Sequence, residues 1–555
     1  MTTKFRTQFG ANIFRFKYAQ GPGDTWEKLA DRLVEDVCGT RWGTEPAYMS
    51  EGDRKQLAQY IKEFKFIPGG RYLYYAGRPY KAYNNCYLLR AEEDTREEWA
   101  AVTWRAMSCL MTGGGIGIDY SRLRPAGKAL SRTGGTASGP IPLMFAINEI
   151  GRNVMQGGSR RSAIYASLNW KHEDINQFLT AKNWSEDVRA AKEKDFNTHA
   201  PLDMTNISVN YDDAAFLNNP DRNFADHSLL HNPVFLKNCR QAMETGEPGF
   251  SFNFGAKQNE TLRNACTEVT SEDDSDVCNL GSINLGNIQS IGELKAVVQL
   301  SAKFLVCGTL RADLPYDKVY KVREKNRRLG LGLMGIHEWL LKRGHGYEVT
   351  PELHEWLKVY RDESKRSADE HCDRFFISRP IAYRAIAPTG SIGILAGTTT
   401  GIEPLFAVAY KRRFLTEGTK WKYQFVVDGT ADTLIKEYGV DPDGINTATT
   451  LATDYERRIK FQADVQDYVD MSISSTINLP AWGSKENNED KVGEFARVLS
   501  AYAPRLRGFT CYPDGSRGGQ PLTTVSYAEA LKHKDAIYEE HDICDITGHG
   551  GSCGV

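Results

Sequence analysis

Several things are missing from this 555-residue chain, and each absence removes a class of function. No eighteen uninterrupted apolar residues occur together, so no membrane-spanning helix is expected. The opening residues, MTTKFRTQFGANIFRFKYAQ, hold no apolar run of signal-peptide length. Neither sign of charge dominates: 69 basic residues stand against 71 acidic ones. That balance gives no electrostatic footing for nucleic acid or an anionic membrane. Cysteine is sparse, with eleven thiols scattered over the whole length. A secreted disulfide scaffold is short and cysteine-dense, so a reducing, cytoplasmic compartment is expected, with thiols free for chemistry. The eleven histidines form no HExxH, and no Cys-x-x-Cys pair exists, so no metal ligand set is announced. Gly113–Gly117 (GGGIG) lacks the lysine and serine of a P-loop. It reads either as a close backbone approach to a ligand or as a tight turn after a helix. His549, in TGHGG, lacks the aspartate two residues earlier that a cobalamin-ligating Asp-x-His motif requires.

What is present alternates between helical and extended patterns. Apolar residues at three- and four-residue spacing predict helices near residues 25–37, 53–64, 96–110, 142–155, 291–306, 351–375 and 526–538. Strand character marks 85–89 (NCYLL), 163–168 (AIYASL) and 250–254 (FSFNF). The class is therefore α/β. With no linker, charge block or repeat, one catalytic domain behind small N-terminal helices is expected, ending in a mobile tail, CDITGHGGSCGV. Gly330–Gly335 fits G-x-G-x-x-G, but the charged KVREKNRRL before it is not a buried strand. Glycines at a tight helix crossing are expected there instead.

The chemistry concentrates around cysteines. In RNACTEVT, Asn264, Cys266 and Glu268 alternate with Ala265 and Thr267. In an extended segment all three project from one face, setting a thiol between an amide and a base. The carboxylate suits a general base on a substrate hydroxyl, with the amide orienting it. A half-exposed strand with an incidental buried cysteine is the plainer alternative. Cys278 opens CNLGSINL, and Cys86 sits in AYNNCYLL, both strand-like. Two such cysteines facing each other in one sheet form a reversible disulfide if their Cα atoms lie about 4.4–6.8 Å apart. Cys544 and Cys553, on the tail, suit thiol–disulfide exchange with a buried disulfide. Pro388–Gly393 (PTGSIG) offers an anion cradle if it leads into a helix, and an ordinary loop otherwise.

Together these residues resemble the catalytic chain of ribonucleotide reductases. The signatures are FIPGGR (Phe66–Arg71), NNC (Asn84–Cys86), GGGIGI (Gly113–Ile118), NACTE (Asn264–Glu268) and CNLGSINL (Cys278–Leu285), followed by NRRLGLGLMG (Asn326–Gly335), PTGSIG (Pro388–Gly393) and GIEP (Gly401–Pro404). The resemblance implies a ten-stranded α/β barrel of two five-stranded halves, with the radical cysteine on an internal finger loop. It implies Cys266 as the thiyl-radical residue, Glu268 as base for the ribose 3′-hydroxyl and Asn264 as its companion. Cys86 and Cys278 become the reducing pair, and Cys544 with Cys553 the tail shuttle served by a thioredoxin- or glutaredoxin-type donor. Asn85 and the cradle Pro388, Thr389, Gly390, Ser391, Ile392 and Gly393 would hold a ribonucleotide di- or triphosphate. The implied domains are an N-terminal helical region (1–65) without an ATP-cone, a barrel (66–540) and a redox tail (541–555).

A thiyl radical needs a generator that side chains do not supply. The glycyl-radical type is set aside because the chain ends GSCGV rather than in an Arg-x-x-Gly-Tyr-like motif. Gly508–Arg517 (GFTCYPDGSR) has one tyrosine, Tyr512, preceded by Cys511, where the type served by a metal-containing small subunit has a tyrosine pair. The pattern is more similar to the adenosylcobalamin-dependent enzymes. The partner-subunit type stays as the alternative, with Tyr512 as radical entry. A deoxynucleoside triphosphate effector site resembles Glu93, Asp94 and Arg124 with the loop carrying Gln156, Arg160 and Arg161. Monomer and homodimer both stay open. A catalytically dead nucleotide-binding protein of the same fold is the rival of another class, and the five expected cysteines argue against it.

Overall fold

The computed structural model describes residues 5–40, 47–154, 163–194, 198–216, 228–415, 421–516, 522–533 and 536–539. Helix starts follow the local chemistry. Thr25, Ser50, Thr95, Ser290, Thr350 and Ser526 each accept a first-turn amide on their hydroxyl, fixing the onset of helices Trp26–Cys38, Glu51–Lys62, Arg96–Met111, Ile291–Arg311, Pro351–Arg374 and Tyr527–Lys532. The last of these is shorter than its sequence pattern suggests: the expected helix over 526–538 breaks, and Ile537–Glu539 is a strand.

Sixteen strands are named in chain order among the described residues. Strand β1 is Phe66–Pro68, β2 Cys86–Arg90, β3 Gly115–Asp119, β4 Ile164–Asn169, β5 Thr205–Tyr211 and β6 Gly249–Phe252. A short hairpin follows, β7 (Leu262–Arg263) with β8 (Thr270–Ser271). Then come β9 (Asp276–Asn284), β10 (Leu329–Met334), β11 (Ala409–Leu415), β12 (Trp421–Val427), β13 (Thr476–Leu479), β14 (Gly508–Pro513), β15 (Leu522–Thr524) and β16 (Ile537–Glu539).

The large sheet closes on itself. Strands β2 to β6 run parallel in sequence order, making one half. The second half is β9, β10, the stretch 384–386, β13 and β14, also parallel, joined through Leu331–Arg384 and Ile386–Ile473 bridges. The halves meet antiparallel at β2–β9 and at β6–β14, which gives a ten-stranded α/β barrel. Strand β1 adds to β9 at one rim. Strands β15, β11, β12 and β16 form a separate antiparallel sheet. β9 is buried along its whole length, as expected for a strand covered on both faces.

Two glycine runs find their reason here. Gly330 and Gly332 lie on strand β10, not at a helix crossing. A Cβ on Gly330 would come within 3.0 Å of Cys278 Sγ, and one on Gly332 within 2.6 Å of the Ala385 carbonyl. The glycines let β10 press against its two neighbours in the barrel wall.

Candidate active site

The β7–β8 hairpin projects into the barrel and carries residues 264–269 at its tip. Close packing admits it: a Cβ on Gly117 of β3 would fall 1.7 Å from the Arg263 carbonyl oxygen. From the first half, Asn206 Nδ2 donates to the Ala265 carbonyl (3.3 Å). From the second, the Ser472 amide donates to the Glu268 carbonyl (2.8 Å). The tip is a turn, not the extended segment that the alternation suggests. The Thr267 amide donates to the Asn264 carbonyl (3.0 Å), and Thr267 takes a left-handed φ of 69°. Asn264, Cys266 and Glu268 therefore meet through a tight loop, not through strand periodicity.

Around that tip the geometry is specific. Cys86 and Cys278 are register partners across the β2–β9 junction. Such Cα pairs lie about 4.5–5.5 Å apart, inside the range a disulfide spans. Both are buried free thiols. Asn264 Nδ2 donates to Cys86 Sγ (2.9 Å), while its Oδ1 accepts the Val269 amide (2.9 Å). Cys86 Sγ stands 3.9 Å from Glu268 Oε1. Glu268 Oε2 is buried with no hydrogen-bond partner. Burial raises the Glu268 carboxyl to about 7, against hydrogen bonds from Asn264 and Cys86 that lower it. Burial also pushes the Cys86 thiol well up, reinforced by Glu268 and by the Cys266 and Cys278 sulfurs. Cys278 is driven up by burial, then by Asp276 and Glu268. Cys266 alone of the three is half-buried.

These groups border a cavity of about 140 Å³ whose lining includes Cys86, Asn264, Cys266, Glu268 and Asn85. Its far side is Ala387–Ile392. Helix Gly390–Ala396 starts there, behind Thr389 in a left-handed conformation. The Thr389 hydroxyl accepts the Gly401 amide (2.8 Å), which braces the turn. The amides of Gly390, Ser391 and Ile392 occupy the first helical turn, where no intrahelical acceptor exists. Gly393 differs: its amide donates to the Thr389 carbonyl (2.7 Å), and a Cβ there would meet Thr400. Gly113 and Gly115 also line the cavity, so the GGGIG run serves close backbone approach as well as turning. Sequence reasoning missed Tyr18 and Ser282, which share the lining. Ser282 lies inside CNLGSINL, two residues on from Leu280 of the same wall, so strand periodicity could have found it.

The remaining expected residues lie elsewhere. Asp94 and Arg124 form an ion pair, with Arg124 Nη2 also donating to the Asp94 carbonyl (3.1 Å), and Glu93 is exposed beside them. Gln156, Arg160 and Arg161 lie outside the described residues, but Ala163, just after them, lines the cavity. Cys544 and Cys553 also lie outside the described residues. Tyr512 is half-buried on β14, on the same strand face as Gly508, whose Cβ would stand 3.9 Å from Thr267 Oγ1 of the finger loop. Cys511 points the other way, its Sγ 3.4 Å from the Ala242 carbonyl of an outer helix.

A second cavity, of about 400 Å³, opens at the same end of the barrel. β14 runs antiparallel to β6, so its C-terminal end lies by the N-terminal ends of β2–β6. Trp184, Trp482, Lys182 and Ser516 are among its walls.

Known proteins agree with this architecture. The family described as ribonucleotide reductase, barrel domain, matches residues 84–216, 225–355 and 381–512. A vitamin B12-dependent ribonucleoside-diphosphate reductase of Mycobacterium tuberculosis (strain CDC 1551 / Oshkosh) is 27% identical over 577 residues, covering 93% of this chain and 80% of that protein. A ribonucleoside-diphosphate reductase subunit alpha of Chlamydia muridarum (strain MoPn / Nigg) is 26% identical over 337 residues, covering 52% of this chain and 31% of that one. A crystal structure of a B-12 dependent (class II) ribonucleotide reductase superposes with a TM-score of 0.71 at 16% identity, covering 96% of this chain and 95% of the other. With a closed ten-stranded barrel, an internal hairpin and a family match over most of its length, the chain belongs to the ribonucleotide reductases, a family of enzymes.

Proposed function

We propose that the chain reduces ribonucleoside di- or triphosphates to 2′-deoxyribonucleotides by a thiyl-radical route, with adenosylcobalamin as radical source. One observation carries the reading: Cys86, paired with Cys278 across β2–β9, lines one cavity with a third thiol, Cys266, and a carboxyl poised near neutrality. Cys266, once its sulfur-bound hydrogen is removed, takes the 3′-hydrogen of the ribose. Glu268, through its unpartnered Oε2, accepts the 3′-hydroxyl proton. The 2′-hydroxyl then leaves as water with a proton from the Cys86–Cys278 pair. That pair supplies two electrons and, from its second sulfur-bound hydrogen, the new hydrogen at C2′, ending as a disulfide. Glu268 then returns its proton to the 3′-oxygen as Cys266 returns a hydrogen to C3′ and is left as the thiyl again. Asn264, fixed by the Val269 amide, holds Cys86 in line. A thiyl radical must be shielded from water and stray hydrogen donors, and the barrel interior provides that.

Adenosylcobalamin, when bound, supplies the initiating one-electron chemistry that side chains lack. The second cavity is smaller than this cofactor and would receive only one edge of it, with Trp184 and Trp482 against apolar parts and Lys182 and Ser516 against polar ones. A relay through a partner subunit fits less well, because Cys511 is turned away from the barrel and leaves Tyr512 as a single step. The M. tuberculosis relative, B12-dependent by name, is matched over 93% of this chain, against 52% for the subunit-alpha relative.

The same reading gives residues 1–65 to a helical N-terminal region, 66–540 to the barrel and 541–555 to a redox tail. Cys544 and Cys553 would re-reduce the disulfide, served by a thioredoxin- or glutaredoxin-type donor. Asn85 and the first-turn amides of Gly390–Ile392 would take the substrate. Glu93, Asp94 and Arg124, with Gln156, Arg160 and Arg161, would bind a deoxynucleoside triphosphate effector, and Ala163 would pass its state to the cavity. The test is deoxynucleotide formation by the isolated chain with a dithiol, with and without adenosylcobalamin. Turnover only with the cofactor is expected; turnover only after adding a metal-containing small subunit would overturn the cobalamin assignment.

A further inference from the structure

The N-terminal segment takes no part in the chemistry above, yet it is fastened to the wall that the phosphates would meet. Helix Gln8–Ile13 packs on helix Gly390–Ala396, and glycine makes the approach possible: a Cβ on Gly10 would come within 2.9 Å of the Ile394 and Leu395 carbonyls. Arg6 donates to the Gly397 carbonyl (2.6 Å) and pairs with buried Glu338 (2.8 Å). The helix then widens into a π-helical turn, Phe14–Tyr18. Such turns carry an extra residue per helical repeat and recur where a side chain must be re-aimed. Here Tyr18 becomes part of the cavity wall, and Lys17 reaches Ser391, Nζ to Oγ 3.3 Å. Gly70 faces Tyr18, since a Cβ there would touch its hydroxyl oxygen at 3.0 Å.

Two buried polar atoms say that this cavity expects a polar ligand. Glu268 Oε2 and Asn85 Oδ1 have no hydrogen-bond partner, although both residues line it and Glu268 is 1% exposed. Leaving such atoms unpaired is costly unless something polar arrives. Arg71, a second cation on the wall, is turned to the Thr112 carbonyl and the Tyr75 hydroxyl. Lys17 is the cation placed at Ser391, beside Thr389 and Gly390 of the cavity lining.

We infer that Lys17 and Tyr18 belong to the substrate site: Lys17 reads the phosphate tail of the ribonucleotide, and Tyr18 closes the cavity over it. The inference rests on the ribonucleotide reading and adds a recognition element contributed by the N-terminal segment. Lys17, held at the Ser391 hydroxyl, would donate to phosphate oxygens there, a charge-assisted contact stronger than one to a neutral hydroxyl. Tyr18 keeps bulk water from the Cys86 side of the cavity.

Equilibrium binding to the full chain without cofactor separates the possibilities, using CDP and cytidine as probes. Lys17→Gln is expected to weaken CDP about fivefold while leaving cytidine unchanged. Lys17→Arg restores most of the loss, and the Lys17→Gln effect shrinks at high salt. Tyr18→Ala, which removes the ring that forms the wall, is expected to weaken CDP severalfold, and unchanged CDP affinity in it would overturn the part given to Tyr18. Unchanged CDP affinity in Lys17→Gln, at an unchanged melting temperature, overturns the inference and leaves the proposed function standing. Equal weakening of CDP and cytidine also overturns it, since a phosphate reader acts on the tail alone. Failure of the unaltered chain to bind either probe, and CTP as well, instead sinks the ribonucleotide reading itself.

Discussion

Two of the buried sulfur groups among the described residues differ in one respect: every thiol of the first is pushed up, whereas one thiol of the second is brought down. At the barrel seam, Cys86 and Cys278 are both pushed up by burial and by neighbouring carboxylates. On the outer helices, burial also opposes ionisation of Cys307, but hydrogen bonds from Cys38 and from His371, 3.4 Å away, bring it down to about 6. By thiol acidity alone Cys307 would be taken for the reactive one, although burial and Cys307 itself push its partner Cys38 well up. It adjoins neither of the two cavities described, however, and Cys38 and Cys307 are fully buried. The seam cysteines instead keep their S–H bonds at neutral pH, and Cys86 lines a cavity beside the Glu268 carboxyl. Hydrogen-atom and proton delivery to a bound sugar needs intact S–H, whereas nucleophilic attack needs thiolate. On the proposed function, access and the kind of chemistry, not acidity, distinguish the thiols that would work.

The contrast can be broken most forcefully at Cys266. Replacing it with serine substitutes an O–H bond too strong for hydrogen-atom exchange. Deoxynucleotide formation is expected to fall by at least ~10⁴-fold with CDP binding retained, and substantial residual turnover would contradict the radical role. Next come Cys86→Ser and Cys278→Ser. Each should remove dithiol-dependent product formation to the same degree, because a disulfide needs both sulfurs; a surviving half would separate the pair.

Glu268→Gln comes third, with an expected loss of roughly 10²-fold in kcat. Unaltered enzyme should gain rate as pH rises through about 7, when the Glu268 carboxyl loses its proton, and the variant should lose that limb. Stability carries the opposite sign. A carboxyl raised from 4.5 to about 7 is ionised in the unfolded chain while still protonated in the fold, so stability declines as pH rises between those values. Glu268→Gln should abolish that decline, worth up to about 3 kcal/mol, as read from denaturant midpoints at pH 4 and pH 8. The smallest effect is expected at Cys307→Ser. Turnover should be unchanged and stability lower by about 1 kcal/mol; a large loss of turnover would mean that the two sulfur groups are coupled.

Much of the site was legible because strands and cysteines are local signals. NCYLL and CNLGSINL read as strands and are β2 and β9. The residues of NACTE were picked out on a strand argument, and the structure supplies a different one. A turn with Thr267 in the left-handed region gathers them, a conformation no alternation pattern announces for a β-branched residue. GLGLMG was expected at a helix crossing because charged residues precede it. It forms β10, where closeness to Cys278 and Ala385 requires the glycines, and those neighbours are remote in sequence. Tyr18 gave no signal, since its cavity partners lie some fifty to several hundred residues away.

The sequence by itself determined where helices begin, which segments are extended, that the chain is α/β, and which side chains carry sulfur, amide and carboxylate. Those properties depend on neighbours a few positions away. Only the tertiary structure decided that Cys86 opposes Cys278, that the finger loop enters between the two half-barrels, and that Glu268 titrates near neutrality. Register between distant strands and the desolvation of a charge are set by everything packed around them, which no short window of residues contains.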